Sequence, residues 1–125
     1  MLIDTHVLID LLGNRGRIGV HTRDLLREDT VFVSVASPWE MAIKAAKGHL
    51  AMPPNLSSAI TEAGVRPLPI LLEHALAIGE ITGLPHADPF DRLLLTQAKV
   101  EGLDFYTWDR AILAAGLPFV RDARA

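Results

Sequence analysis

Four carboxylates, Asp4, Glu40, Asp91 and Asp109, sit where apolar runs give way to helix starts, and two of them lie in near-duplicate phrases. Ser37-Pro38-Trp39-Glu40 and Asp88-Pro89-Phe90-Asp91 each read as helix cap, proline, aromatic, acid. Acids gathered at one place repel one another, and a cation offsets that repulsion. Hard divalent ions such as Mg²⁺ and Mn²⁺ take carboxylate and water oxygens as ligands. One or two such ions can activate water and neutralise charge on a phosphodiester, so the pattern points to phosphate chemistry.

Each acid also has a plain structural explanation. Glu40 at the third helical position reaches back toward the Ser37 amide in a capping box worth about 1 kcal/mol. Asp91 does the same for Asp88, and Asp109 suits the start of a last helix. Asp4 is harder to explain this way, because an acid ending a buried apolar strand is costly unless paired or metal-bound. Around these acids, Thr5, Ser34 and Thr107 are expected to bond to backbone. His6 and His86 are expected to be structural or surface residues. Lys44 lies one helical turn after Glu40 and is expected to pair with it. Arg92 and Arg110 follow proposed ligands and either face phosphates or coat solvated helix surface. Trp39, Phe90 and Trp108 are expected in the core.

The elements that must position these residues alternate. Met1 to Thr5 suits a strand, and Val7 to Leu12 a helix. Gly13-Asn14-Arg15-Gly16 is a breaker loop, and residues 20–28 form a short helix. Val31 to Val35, β-branched and aromatic, is the clearest strand. Ser37 caps a helix with Pro38 at its first position, running to about Lys47. A helix over 56–63 follows the Pro53-Pro54 loop. Val65 to Ile70 is a strand whose two prolines assign it to a sheet edge. Helices over 72–82 and 89–101, a strand from Leu103 to Thr107, a helix from Arg110 to Ala115 and a short strand at Phe119-Val120 complete the chain. This alternation predicts an α/β domain with a mostly parallel sheet. Ligands in such sheets bind at the carboxyl ends of the strands, which puts Asp4, Glu40 and Asp109 on one rim. Spacing alone does not bring Asp91 there.

Length and composition narrow the classes. The 125 residues suit one domain spanning 1–125. With no cysteine, disulfides, thiolate metal sites and a cysteine nucleophile are excluded, and a reducing cytoplasm is the natural compartment. No signal peptide is visible, and no apolar run approaches the roughly 20 residues of a membrane-spanning helix. A formal charge of −3 argues against gripping nucleic acid by bulk basicity. The five histidines show no His-x-x-x-His zinc spacing. A response-regulator receiver would need an aspartate after the third strand, and Val65 to Leu72 has none. An aspartyl phosphatase would need Asp-x-Asp where Asp4-Thr5-His6 stands.

Four motifs in order also carry a family resemblance. Leu2-Ile3-Asp4-Thr5-His6 resembles the opening of PIN-domain nucleases. Ser34-Val35-Ala36-Ser37-Pro38-Trp39-Glu40-Met41-Ala42-Ile43-Lys44 is similar to their second motif, in the subgroup with Trp-Glu-x-Ala-Ile-Lys. His86-Ala87-Asp88-Pro89-Phe90-Asp91-Arg92 resembles that subgroup's His-x-Asp-Pro-Phe-Asp-Arg signature, and Thr107-Trp108-Asp109 the Thr-x-Asp of the last acid. The resemblance implies a PIN-like three-layer α/β/α sandwich with about five strands. It also implies a VapC-type toxin of a type II toxin–antitoxin pair, a Mg²⁺-dependent endoribonuclease (Mn²⁺ being a plausible substitute). Asp4, Glu40, Asp91 and Asp109 become its acidic quartet, with Asp4 and Asp91 the metal ligands. The implied partners are an RNA substrate, a small cognate antitoxin and a second copy in a homodimer, with no membrane. The competing reading is a PIN-like module that binds RNA or a protein without cutting. Asp10 departs from the subgroup, which commonly carries a large apolar or aromatic residue there, so its local packing or an antitoxin contact is where this chain should differ.

Overall fold

The computed structural model describes residues 1–84 and 88–125. The expectation for His86 therefore lies outside the described residues. Five strands, β1 (Leu2–Ile3), β2 (Val31–Ser34), β3 (Val65–Leu68), β4 (Phe105–Thr107) and β5 (Val120–Asp122), form one sheet in the order β3-β2-β1-β4-β5. Every pairing is parallel, with Leu2 opposite both Phe32 and Phe105, and Phe105 opposite Val120. β1 is two residues long yet central, and its flanks are β2 and β4.

Because side chains alternate across a strand, the sheet feeds two cores. Ile3, Val31, Val33, Val65 and Tyr106 pack with Val7 and Leu8 of α1 (Thr5–Gly13), Leu25 of α2 (Val20–Glu28), Met41 of α3 (Ala36–Ala46) and Ile60 of α4 (Leu56–Glu62). Leu2, Phe32, Leu68 and Phe105 pack with Leu94, Leu95 and Ala98 of α6 (Pro89–Glu101) and Ile112 of α7 (Arg110–Ala114). The result is the expected three-layer sandwich. β3 lies at the edge its prolines required. Among the described residues, no helix is long and apolar enough to cross a membrane.

Two elements differ from the sequence reading. The helix expected over 72–82 is a five-residue α5 (Leu72–Leu76) followed by a 3-10 turn at Ile78–Glu80. Its last α-type bond runs from Ala77 N to Glu73 O. Glu80 N then donates to Ala77 O, three residues back, across flexible Gly79. The second difference is at α3, which begins two residues before its expected first position, at Ala36 rather than Pro38. Ser34 Oγ accepts from Ala36 N at 3.1 Å in the turn that leads in, while Val35 holds the N-cap position with no side-chain cap. Ser37 lies inside the helix, fully buried, with its hydroxyl 2.8 Å from Thr5 Oγ1. The Ser37–Glu40 capping box does not form.

Two loops hold the ends of α1 and α2. Asp10, 2 % exposed, accepts from Arg17 N at 3.2 Å and Ile18 N at 3.3 Å, which closes the loop that follows α1. This is the physical reason for an acid where a large residue is common. Gly19 donates to Ala123 O at 2.9 Å, and a side chain there would collide with the carbonyls of Arg124 and Ala125.

Candidate metal centre

The carboxyl end of β1 delivers Asp4, and the flanking strands deliver the segments that carry the other acids. α3 follows β2 and carries Glu40, while Asp109 lies two residues beyond β4. α6 packs against α3 and brings Asp91, which strand spacing alone could not place. All four line one cleft of about 200 Å³, together with Asp88, Thr5, His6, Ile9 and Lys44.

Three of the acids also cap helices, so the plain and the chemical readings coexist. Asp4 Oδ1 accepts from Thr5 N at 2.7 Å at the start of α1. Asp109 Oδ1 accepts from Ile112 N at 3.0 Å at the start of α7. Asp88 caps α6 by accepting from Asp91 N at 2.8 Å, as the sequence suggested. Glu40 does not cap; its carboxylate meets Lys44 Nζ at 3.1 Å. Neither Asp91 oxygen accepts a hydrogen bond or ion pair among the described residues.

Asp91 shows the electrostatic consequence. Burial, followed by the charges of Asp88, Asp4, Asp109 and Glu40, pushes its carboxyl up to about 7. Burial also raises Asp4, opposed by its donors from Thr107 and Thr5. Thr107 ties two acids together. Its hydroxyl donates to Asp4 Oδ2 at 2.7 Å and accepts from Asp109 N at 3.0 Å. The sequence allowed this hydroxyl either to orient a ligand or to bond backbone, with backbone preferred, and it does both.

His6 is structural. Its ring stacks on Trp108 with centroids 4.5 Å apart, and Nε2 accepts from Trp108 N at 3.2 Å. A ring nitrogen that accepts an N–H carries no proton, so the 3.6 Å approach of Nε2 to Asp4 is not an ion pair. Burial lowers the His6 pKa in the same direction. Arg92 does not face phosphates; it donates to Leu84 O at 2.8 Å and Ile81 O at 3.3 Å. Arg110 is exposed on α7. Trp39 is corrected most clearly: it is 57 % exposed, whereas Phe90 and Trp108 are partly buried against the cores.

A second cluster was not singled out in the sequence. Glu73, His74 and Glu101 have ligand atoms all within 4.8 Å of one another, closer than any three of the motif acids. Both nitrogens of His74 are already engaged. His74 Nδ1 accepts from Leu71 N at 3.0 Å, so the ring proton is on Nε2, which donates to Glu101 at 2.7 Å. The only nearby signal in the sequence was the helix start at Leu72. A separate cavity of about 270 Å³ is walled mainly by Val33, Val35, Pro38, Leu56, Ile60 and Pro67, with Ser34, Ser57 and Thr61 its polar residues.

Comparison with known proteins adds the following. The family model described as PIN domain matches residues 1–116. A toxin–antitoxin complex from Klebsiella pneumoniae superposes with a TM-score of 0.67 at 20 % identity, covering 98 % of this chain and 96 % of that one. VapBC2 from Rickettsia felis, bound to a DNA fragment from its promoter, gives 0.67 at 13 % identity, with coverage of 97 % and 96 %. At these identities the two structures share the fold. No curated protein matches the sequence.

Proposed function

The chain belongs to the PIN domain family, and from that premise we propose that it is a metal-dependent endoribonuclease, the VapC-type toxin of a toxin–antitoxin pair. One observation carries the reading: four acids from separate segments line a single cleft, and the other three each raise the pKa of Asp91. The donor set suits Mg²⁺ or Mn²⁺, being all carboxylate oxygen with no thiolate and no available imidazole lone pair. Asp4 and Asp91 hold the ion. Bound there, it offsets the charge of the acids and of the phosphodiester under attack. Thr107 orients Asp4 through its hydroxyl, and Lys44 fixes Glu40. Glu40 and Asp109 are the carboxylates left to take a proton from the attacking water.

The partners are RNA, a small cognate antitoxin and a second copy of the chain, and the compartment is the cytoplasm. Both structural neighbours being toxin–antitoxin assemblies supports the antitoxin. Exposed Leu72 and Leu76 on α5 supply apolar surface of the kind protein contacts use. Residues 1–125 act as a single domain in this reading.

The test is cleavage of a panel of structured RNAs, with and without chelator, by wild type and Asp91→Asn. Wild type should cut only with Mg²⁺ or Mn²⁺, and the folded variant should not cut. Chelator-resistant cutting, or full activity in pure Asp91→Asn, overturns the assignment.

A further inference from the structure

Beside the acidic cleft lies a second cavity of about 290 Å³, which shares Glu40, Lys44 and Asp88 with it and adds Ile43, Lys47, His49 and Phe90. Its basic groups come from one stretch of chain. Lys44 lies in the last turn of α3, Lys47 caps that helix and His49 follows it; all three are exposed. Lys44 is engaged by Glu40, while Lys47 and His49 make no ion pair or side-chain hydrogen bond among the described residues. Phe90, in the wall of this cavity, meets Trp39 in a T-shaped contact with centroids 5.2 Å apart. Trp39 is nonetheless 57 % exposed, and through Phe90 it adjoins the cavity that Lys47 and His49 line, so it is not core packing.

On the opposite flank, after β4, Trp108 differs from Trp39: its ring stacks on His6 and packs against the core. Arg17 sits 4.9 Å from the centroid of the Trp108 ring. A cleft of carboxylates repels phosphate, so affinity for a polyanion must come from such flanks. Aromatic faces with nearby cations hold single strands, because stacking on a side chain requires a base that is not already stacked in a duplex.

We infer that Trp39, with Lys44, Lys47 and His49, forms a subsite for an unpaired nucleotide beside the phosphate to be cut. The base stacks on Trp39, and the cations follow the backbone. The inference rests on the nuclease reading for its substrate.

The experiment measures binding of a short single-stranded RNA of mixed sequence, and of the same sequence as a duplex. It uses Asp91→Asn as the parent so that no cleavage intervenes. Adding Trp39→Ala should weaken single-strand binding about tenfold or more and leave duplex binding unchanged. Trp39→Phe should restore most of the loss, and Lys47→Ala should flatten the salt dependence by about one ion. Equal effects of Trp39→Ala on single strand and duplex overturn the subsite, as does no effect on either. Unchanged RNA affinity with a lost dimer or lost antitoxin binding also overturns it, and assigns Trp39 to a protein contact. Cleavage by wild type, run alongside, separates the two readings. Cutting with Trp39-independent binding sinks the subsite alone; Trp39-dependent binding without cutting sinks the nuclease alone.

Discussion

Glu73, His74 and Glu101 bring their ligand atoms closer together than any three of the motif acids do, yet the nitrogens at their centre are not free. Each His74 nitrogen is already committed, one to the Leu71 N–H and the other to Glu101. Even there one acceptor is left over, since Gln97 Oε1 is buried without a partner among the described residues. In the acidic cleft the uncommitted group is a half-buried carboxylate that burial and its neighbours' charges push up to about 7. Acids from four segments face one space, and Asp91 accepts no hydrogen bond there among the described residues. Convergence therefore does not distinguish a binding centre from a structural cluster. Unused lone pairs under mutual repulsion do.

Substitutions in the two regions should separate along that line. The largest effect is expected from His74→Ala, about 3 kcal/mol of stability from a lost buried ring and its hydrogen bonds. The melting shift on adding Mg²⁺ should be unchanged; a reduced shift would mean that this cluster holds the ion. Next, Thr107→Val keeps shape but removes the hydroxyl shared by Asp4 and Asp109. Cleavage rate should fall about 10- to 100-fold, as for other groups that orient metal ligands. Full activity in Thr107→Val would show that Asp4 needs no such positioning.

A third contrast is in pH. Between the ordinary aspartate value of 3.8 and about 7, folded metal-free protein holds a proton on Asp91 that the unfolded chain lacks. The unfolded state binds fewer protons there, so Asp91 makes stability fall as pH rises through that window. Asp91→Asn should melt above wild type at pH 8 without metal, with the gap closing toward pH 4. A gap independent of pH would remove the repulsion. The smallest effect is expected from Glu40→Gln. It loses a helical ion pair worth about 0.3–0.5 kcal/mol and relieves charge on Asp91. It should therefore melt no lower than wild type without metal, and gain less from Mg²⁺. A loss of about 1 kcal/mol under both conditions would restore a capping role that the geometry lacks.

The sheet and most helices were legible because their signals are local: β-branched runs, proline and glycine breaks, and the Asp88 cap. The two near-duplicate phrases show where that stops. Asp88-Pro89-Phe90-Asp91 caps α6 as its pattern says. Ser37-Pro38-Trp39-Glu40 does not cap, because α3 already begins at Ala36 and Ser37 turns inward to Thr5. The Ser37 partner is set by how α3 docks on α1, which the phrase itself does not encode. Asp4, Glu40 and Asp109 followed from parallel topology. Asp91 did not, since only the packing of α6 against α3 brings it to the others, and the family resemblance supplied it in advance.

The order of the strands has a consequence for synthesis. β1 is made first but lies between β2 and β4, and α2 bonds to carbonyls at residues 123 and 125 through Gly19 and Thr22. A chain emerging from the ribosome folds from its beginning, so its opening segments wait for their last neighbours. Until Thr107 and Asp109 have been added, Asp4 lacks its hydroxyl donor and the cluster lacks one acid. An unfinished chain thus carries no finished acidic cleft, and the four carboxylates first meet when the last strands join the sheet.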